Sequence, residues 1–233
     1  MNVQHAPTGV NHFGNPIDRI LAEIALRVQL PPSLHDKATS RYESVRRHLE
    51  TTTTFVDQIE HFYPQGSMAI DATISTRGTD DEYDLDIILQ LANRFRGMTS
   101  LEILIELETA LAQYPVQRVL RQTRCVTLFY ADKMHLDVTP SLRVYGTVDR
   151  ESLITHAKGP SWSADDHFVD MNAYGFAQWY SSRTPLEPGM AREFHRRWLE
   201  HSGLQARADA NVDEVPDQCE FIVKNTATLA LQL

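Results

Sequence analysis

The segment EYDLDIILQL, residues 82–91, sets two aspartates, Asp84 and Asp86, one residue apart in an otherwise apolar, strand-like run. Aspartate is a poor strand former, so packing alone does not account for the pair. Strand side chains alternate faces with a period of two. Asp84 and Asp86 therefore share one face, while Leu85, Ile87 and Leu89 face a core on the other. Ile88 and Leu91 complete the apolar character. Two carboxylates this close disfavour joint ionisation. A divalent cation between them removes the conflict, and hard oxygen ligands favour Mg²⁺ or Mn²⁺ over Zn²⁺.

A third carboxylate, Asp137, lies in the strand-like stretch MHLDVTPSL. If this strand neighbours the first, three carboxylates converge. That is enough for two metal ions about 3.5–4 Å apart, the arrangement used for in-line phosphoryl transfer. Asp84 and Asp86 would hold both ions. Asp137 would complete the ion that activates an attacking hydroxyl and take part in its deprotonation. His135, two residues before Asp137, is read as pointing the other way, a structural residue. Upstream, Gly66-Ser67 closes the short strand in FVDQIEHFYPQGS. Its glycine lets backbone N–H groups approach phosphate oxygens, and its serine adds a hydroxyl donor. Each part alone has a plain reading as a turn, an acidic loop edge or a solvated aspartate. The specificity lies in their order: strand, Gly-Ser, spacer, Asp-Leu-Asp, then a hairpin with a third aspartate.

Around this centre the pattern predicts helices over 17–29, with apolar Ile17, Ile20, Leu21, Ile24 and Leu26, and from Ser33 to about Thr52. A helix follows in SLEILIELETALAQY, with Ser100 as its N-cap. RCVTLFYADKMHLDVTPSLRV reads as a hairpin turning at Ala131-Asp132-Lys133. The rest is expected to be mostly helical, in MNAYGFAQWYSSR, in MAREFHRRWLEHS and from Phe221 onward, with a polar loop at 203–218. Arg118, Arg121 and Arg124 form either a phosphate-binding edge or a solvated strand-turn face, the second being the plainer reading. Arg196 and Arg197 belong to the water face of a helix that packs Phe194 and Trp198. Tyr174, Trp179 and Tyr180 are expected in the core.

The motifs PQGS, YDLDIIL and HLDVTP together resemble the nucleotidyltransferase core of the DNA polymerase β superfamily. More narrowly, the chain resembles the bacterial cGAS/DncV-like nucleotidyltransferases (CD-NTases), which make cyclic oligonucleotide signals in anti-phage defence. The resemblance runs from about Phe55 onward, and the N-terminal helices fit the family's spine helix. It implies an α+β fold, a mixed sheet flanked by helices. Residues 1–160 would hold the N-terminal helices and the core, and 161–233 the start of a C-terminal helical lobe that looks truncated, since the segment FIVKNTATLALQL has no stop signal. It implies catalytic and metal-binding Asp84, Asp86 and Asp137, and nucleotide contacts from Gln65, Gly66 and Ser67. Lys224 matches a recurrent lysine at the start of the family's C-terminal helix.

The resemblance further implies ATP and other NTPs as substrates, two Mg²⁺ or Mn²⁺ ions per site, a cyclic di- or trinucleotide product with release of pyrophosphate, and a regulatory protein partner. The formal net charge of −9 opposes a duplex-DNA coat. Two distant cysteines, Cys125 and Cys219, cannot build a zinc ribbon, so no duplex-DNA activator is expected. The chain has no run of 18 apolar residues and no secretory leader pattern, and a reduced cytoplasmic setting without membrane contact is expected. Two alternatives stay open: a template-independent or RNA-modifying nucleotidyltransferase, and a toxin-type enzyme that modifies proteins. The acidic balance counts against an RNA partner.

Overall fold

Asn15 opens the first helix, its side-chain oxygen accepting the Ile17 amide, and Pro16 takes the first helical position, where an N–H has no partner to lose. The computed structural model describes residues 15–75, 83–184 and 231. In chain order these form α1 (Pro16–Val28), α2 (Pro32–Thr51), β1 (Ile59–Pro64), α3 (Gly66–Ala69) and β2 (Tyr83–Leu91). A 3₁₀ turn then leads to α4 (Ser100–Leu111), β3 (Arg118–Arg121), β4 (Val126–Phe129) and β5 (Met134–Arg143). Last come β6 (Ser152–His156), β7 (His167–Met171) and α5 (Ala173–Arg183). Lys224, the helix expected at MAREFHRRWLEHS, the 203–218 loop, Cys219 and the segment from Phe221 lie outside the described residues, Leu231 excepted.

The sheet is mixed, in the order β1-β2-β5-β4-β3, with β6 pairing β5 and β7 pairing β6. β1 runs antiparallel to β2, and β2 runs parallel to β5. Parallel neighbours require a crossover. Here α4 and the β3–β4 strands make it, and α4 covers the core face. Leu85, Ile87 and Leu89 of β2 and Leu136 and Val138 of β5 pack with Tyr42, Val45 and Leu49 of α2 and Ile103, Leu107 and Leu111 of α4. The apolar residues of β2 thus anchor its core face against α2 and α4, and the aspartates stand on the opposite face.

Three expectations change. Thr99, not Ser100, caps α4: its hydroxyl accepts the Glu102 amide while the Glu102 carboxylate accepts the Thr99 N–H, a full capping box. Ser100 is already helical, and its hydroxyl donates to the His167 carbonyl. Thr99→Ala is expected to lower stability by about 1 kcal/mol, read as a shift in urea midpoint. The mostly helical remainder contains two strands, β6 and β7, whose sequences SLITH and HFVDM are too short for a period to show. Pairing with the far half of β5 makes β6 a strand, and β7 pairs with β6 and carries the sheet on to Met171. Trp179, expected in the core, is 55% exposed, while Tyr180 is buried.

Candidate active site

The parallel register of β2 and β5 pairs Asp84 with His135 and Asp86 with Asp137. Side chains at paired positions share a face. Both catalytic-site candidates of β2 and the one on β5 therefore lie on the side of the sheet away from the α2–α4 core. On β4, Thr127 is opposite Asp137 and continues the same row.

Gly66 meets this row from above. Its φ is +62°, in the left-handed region that favours glycine, and a Cβ built there would lie 2.7 Å from Asp86 Oδ2. The Gln65 amide donates to the Asp86 carbonyl at 2.8 Å, which pins the turn to the strand. The Ser67 hydroxyl lies 3.1 Å from the Thr73 hydroxyl. Gln65 and Gly66 thus sit directly against Asp86, with Ser67 next in the turn. Gly66→Ala is expected to cost about 1–2 kcal/mol of stability through backbone strain, and to displace the Asp86 carboxylate. A thermal melt beside nucleotide-binding titrations reads both effects.

The electrostatics follow from the geometry. Burial, reinforced by the Asp137 and then the Asp84 carboxylates, pushes the Asp86 carboxyl up to about 6. Asp137 Oδ1 is buried and accepts no hydrogen bond among the described residues. A buried acceptor without a partner is costly, and a bound cation or donor would satisfy it. Burial and the neighbouring Asp137 push the Cys125 thiol up to about 12, so it stays protonated beside the site. The donors are therefore hard carboxylate oxygens, which fit Mg²⁺ or Mn²⁺. Asp84 stands aside, its side chain 64% exposed and its Oδ1 3.6 Å from His135 Nδ1. Among the described residues no three acidic, histidine or cysteine side chains close into a ready coordination group. Repulsion between like charges accounts for an open trio, and a cation would draw Asp84 inward.

His135 corrects the sequence reading. It lies on the same face as Asp137, as a spacing of two residues in a strand requires, and it packs beside Asp84. The basic candidates on and after β3 form no common edge. Arg121 pairs with Glu108 at 3.1 Å, Arg124 donates to His156, and Arg118 lies over the Phe129 ring. Thr127, Thr73 and Cys125 at the site carried no signal of their own in the sequence.

A Gly-Ser turn over paired aspartates on a mixed sheet, with helices on the opposite face, defines a nucleotidyltransferase core of the polymerase β type. Residues 17–165 match the family described as the Second Messenger Oligonucleotide or Dinucleotide Synthetase domain, and the chain belongs to that family. It is 50% identical over 222 residues to the cyclic dinucleotide synthase CdnG of Bradyrhizobium diazoefficiens, covering 95% of this chain and 52% of that protein. A c-di-GMP synthase of Roseivirga ehrenbergii is 25% identical over 167 residues, 70% of this chain and 43% of that one. The structure of the Bradyrhizobium diazoefficiens CD-NTase CdnG in complex with GTP superposes with a TM-score of 0.79 at 48% identity, covering 95% of this chain and 62% of that chain. The chain thus spans about half the length of the curated relatives it matches. No helix among the described residues is long and apolar enough to cross a membrane.

Proposed function

We propose that this chain carries the catalytic core of an enzyme that joins nucleoside triphosphates into a cyclic dinucleotide, acting in the cytoplasm as a second-messenger synthase in anti-phage defence. The observation that carries the reading is the register of Asp86 opposite Asp137 with Gly66 held against Asp86. In each step the 3′- or 2′-hydroxyl oxygen of one nucleotide bonds to the α-phosphorus of another. The α–β bridging bond breaks, pyrophosphate leaves, and the hydroxyl proton passes to Asp137 Oδ1, a buried acceptor with no hydrogen-bond partner among the described residues. A second transfer within the linear product closes the ring.

Asp84, Asp86 and Asp137 would hold Mg²⁺ or Mn²⁺, two ions per site. The cations would neutralise the phosphates and make the attacking hydroxyl more acidic. Gln65, Gly66 and Ser67 hold the triphosphate, the glycine allowing its backbone close approach. Positioning and charge stabilisation supply most of the barrier reduction in phosphoryl transfer. Lys224 is kept as a candidate triphosphate contact.

The relative solved with GTP and the one named for c-di-GMP support GTP as the substrate to try first, with ATP beside it. The net charge of −9 supports activity without a duplex-DNA coat. The test is mass analysis of products from the full-length protein with GTP, ATP and Mg²⁺ or Mn²⁺. A phosphatase-resistant cyclic dinucleotide is the expected product. Linear chains, labelled RNA or labelled protein in its place would overturn the reading.

A further inference from the structure

One pleat away from the Asp86–Asp137 pair, the same face of the sheet carries a second row, which crosses four strands. Asp84 on β2 is in register with His135 on β5, His135 with Phe129 on β4, and Phe129 with Arg118 on β3. The contacts follow the register. The Arg118 guanidinium lies 3.8 Å from the centroid of the Phe129 ring. Phe129 and His135 meet edge to face, with ring centroids 4.4 Å apart at 66°. His135 Nδ1 then lies 3.6 Å from Asp84 Oδ1.

This row joins a held ring to an exposed carboxylate. The His135 side chain is 15% exposed, and Phe129 with Arg118 behind it fixes the plane of the imidazole. The Asp84 side chain is 64% exposed. To join Asp86 and Asp137 around a cation, Asp84 must give up water and approach two like charges. A hydrogen bond to its outer oxygen offsets part of that cost and selects which oxygen faces the ion. Metal-ligating carboxylates are commonly oriented by such outer partners.

We propose that His135 is the positioning residue of Asp84: from a ring plane set by Phe129 and Arg118, its Nδ1–H holds the outer Asp84 oxygen and turns the other toward the divalent ion. This rests on the metal reading above. The experiment measures Mn²⁺ binding to the full-length protein without nucleotide, by the electron paramagnetic resonance signal of the unbound ion. His135→Phe keeps a ring against Phe129 but removes the donor, and it is expected to weaken Mn²⁺ binding about 10–100-fold. His135→Asn places an amide N–H near the position of Nδ1 and is expected to bind close to the parent. A merely structural histidine predicts the reverse order, with Phe tolerated and Asn not.

Phe129→Leu loosens the imidazole while leaving its donor in place. It is expected to weaken Mn²⁺ binding by less than His135→Phe, and it serves as the second arm if His135→Phe does not fold. Parent-like binding in folded His135→Phe, or in Phe129→Leu where that arm is needed, overturns the proposal. Asp84→Asn separates the two claims. If it weakens binding while His135→Phe does not, the metal reading stands and the role of His135 falls. If Asp84→Asn binds Mn²⁺ like the parent, the metal reading falls and takes this proposal with it.

Discussion

Asp86→Asn and Asp137→Asn are each expected to cut pyrophosphate release from GTP or ATP by about 10³-fold or more, with the fold intact. Asparagine keeps the size of the side chain and removes its charge. The two positions face each other across one parallel ladder, so either change leaves a site unable to gather the charge that phosphoryl transfer needs. Charge stabilisation of this kind is worth several kcal/mol, and each 1.36 kcal/mol is a decade in rate. Asp137→Asn also removes the proton acceptor at Oδ1. Initial rates of pyrophosphate release from the full-length protein, beside urea midpoints that check folding, read the effect. Parent-like rates in either variant would mean that these carboxylates are only structural.

Metal-free Asp86→Asn is expected to be more stable than the parent at pH 8 by about 3 kcal/mol. The Asp86 carboxyl sits at about 6 in the folded chain, against 3.8 for the ordinary group. Each unit of that difference is about 1.4 kcal/mol. Because the folded value is the higher one, the folded state binds the proton more tightly than the unfolded state. The stability from this group is therefore present below pH 3.8 and lost as the pH rises through about 6. Above that the parent carries the full cost of a buried charge beside Asp137, and the amide does not. The gap between variant and parent should open between pH 4 and pH 7 in urea titrations with a chelator present. Mn²⁺ at about 100 times its dissociation constant should then stabilise the parent by about 2.7 kcal/mol at pH 8 and the variant by far less. A gap that does not change with pH would remove burial and repulsion as its cause.

The site was legible where one physical rule governs. Period-two alternation in an apolar strand put Asp84 and Asp86 on one face and Leu85, Ile87 and Leu89 in the core. The same rule places His135 on the face of Asp137, and the contrary reading treated a neighbour in the sequence as a neighbour across the strand. Thr99 was also within reach, since Thr99 and Glu102 stand in the three-residue spacing of a capping box, yet the adjacent Ser100 offers the same hydroxyl.

The two last strands were not legible. Five residues such as SLITH carry no decisive period; β6 is a strand only against the far half of β5, and β7 only against β6. The pairing of β2 with β5 is likewise long-range, and local pattern could state it only as a condition. Trp179 lies exposed on a short helix whose apolar and polar residues do not sort cleanly into two faces, so its residue type alone suggested burial.

The central claim is that the carboxylates on β2 and β5 gather a divalent cation at the α-phosphate of a nucleotide held under the Gly66-Ser67 turn. Anomalous diffraction from crystals of the full-length protein, soaked with Mn²⁺ and a non-hydrolysable GTP analogue, tests it most directly. The account predicts Mn²⁺ peaks within coordination distance of Asp86 and Asp137, with Asp84 turned inward and the phosphates against Gly66 and Ser67. A bound nucleotide whose Mn²⁺ lies away from all three aspartates would contradict it.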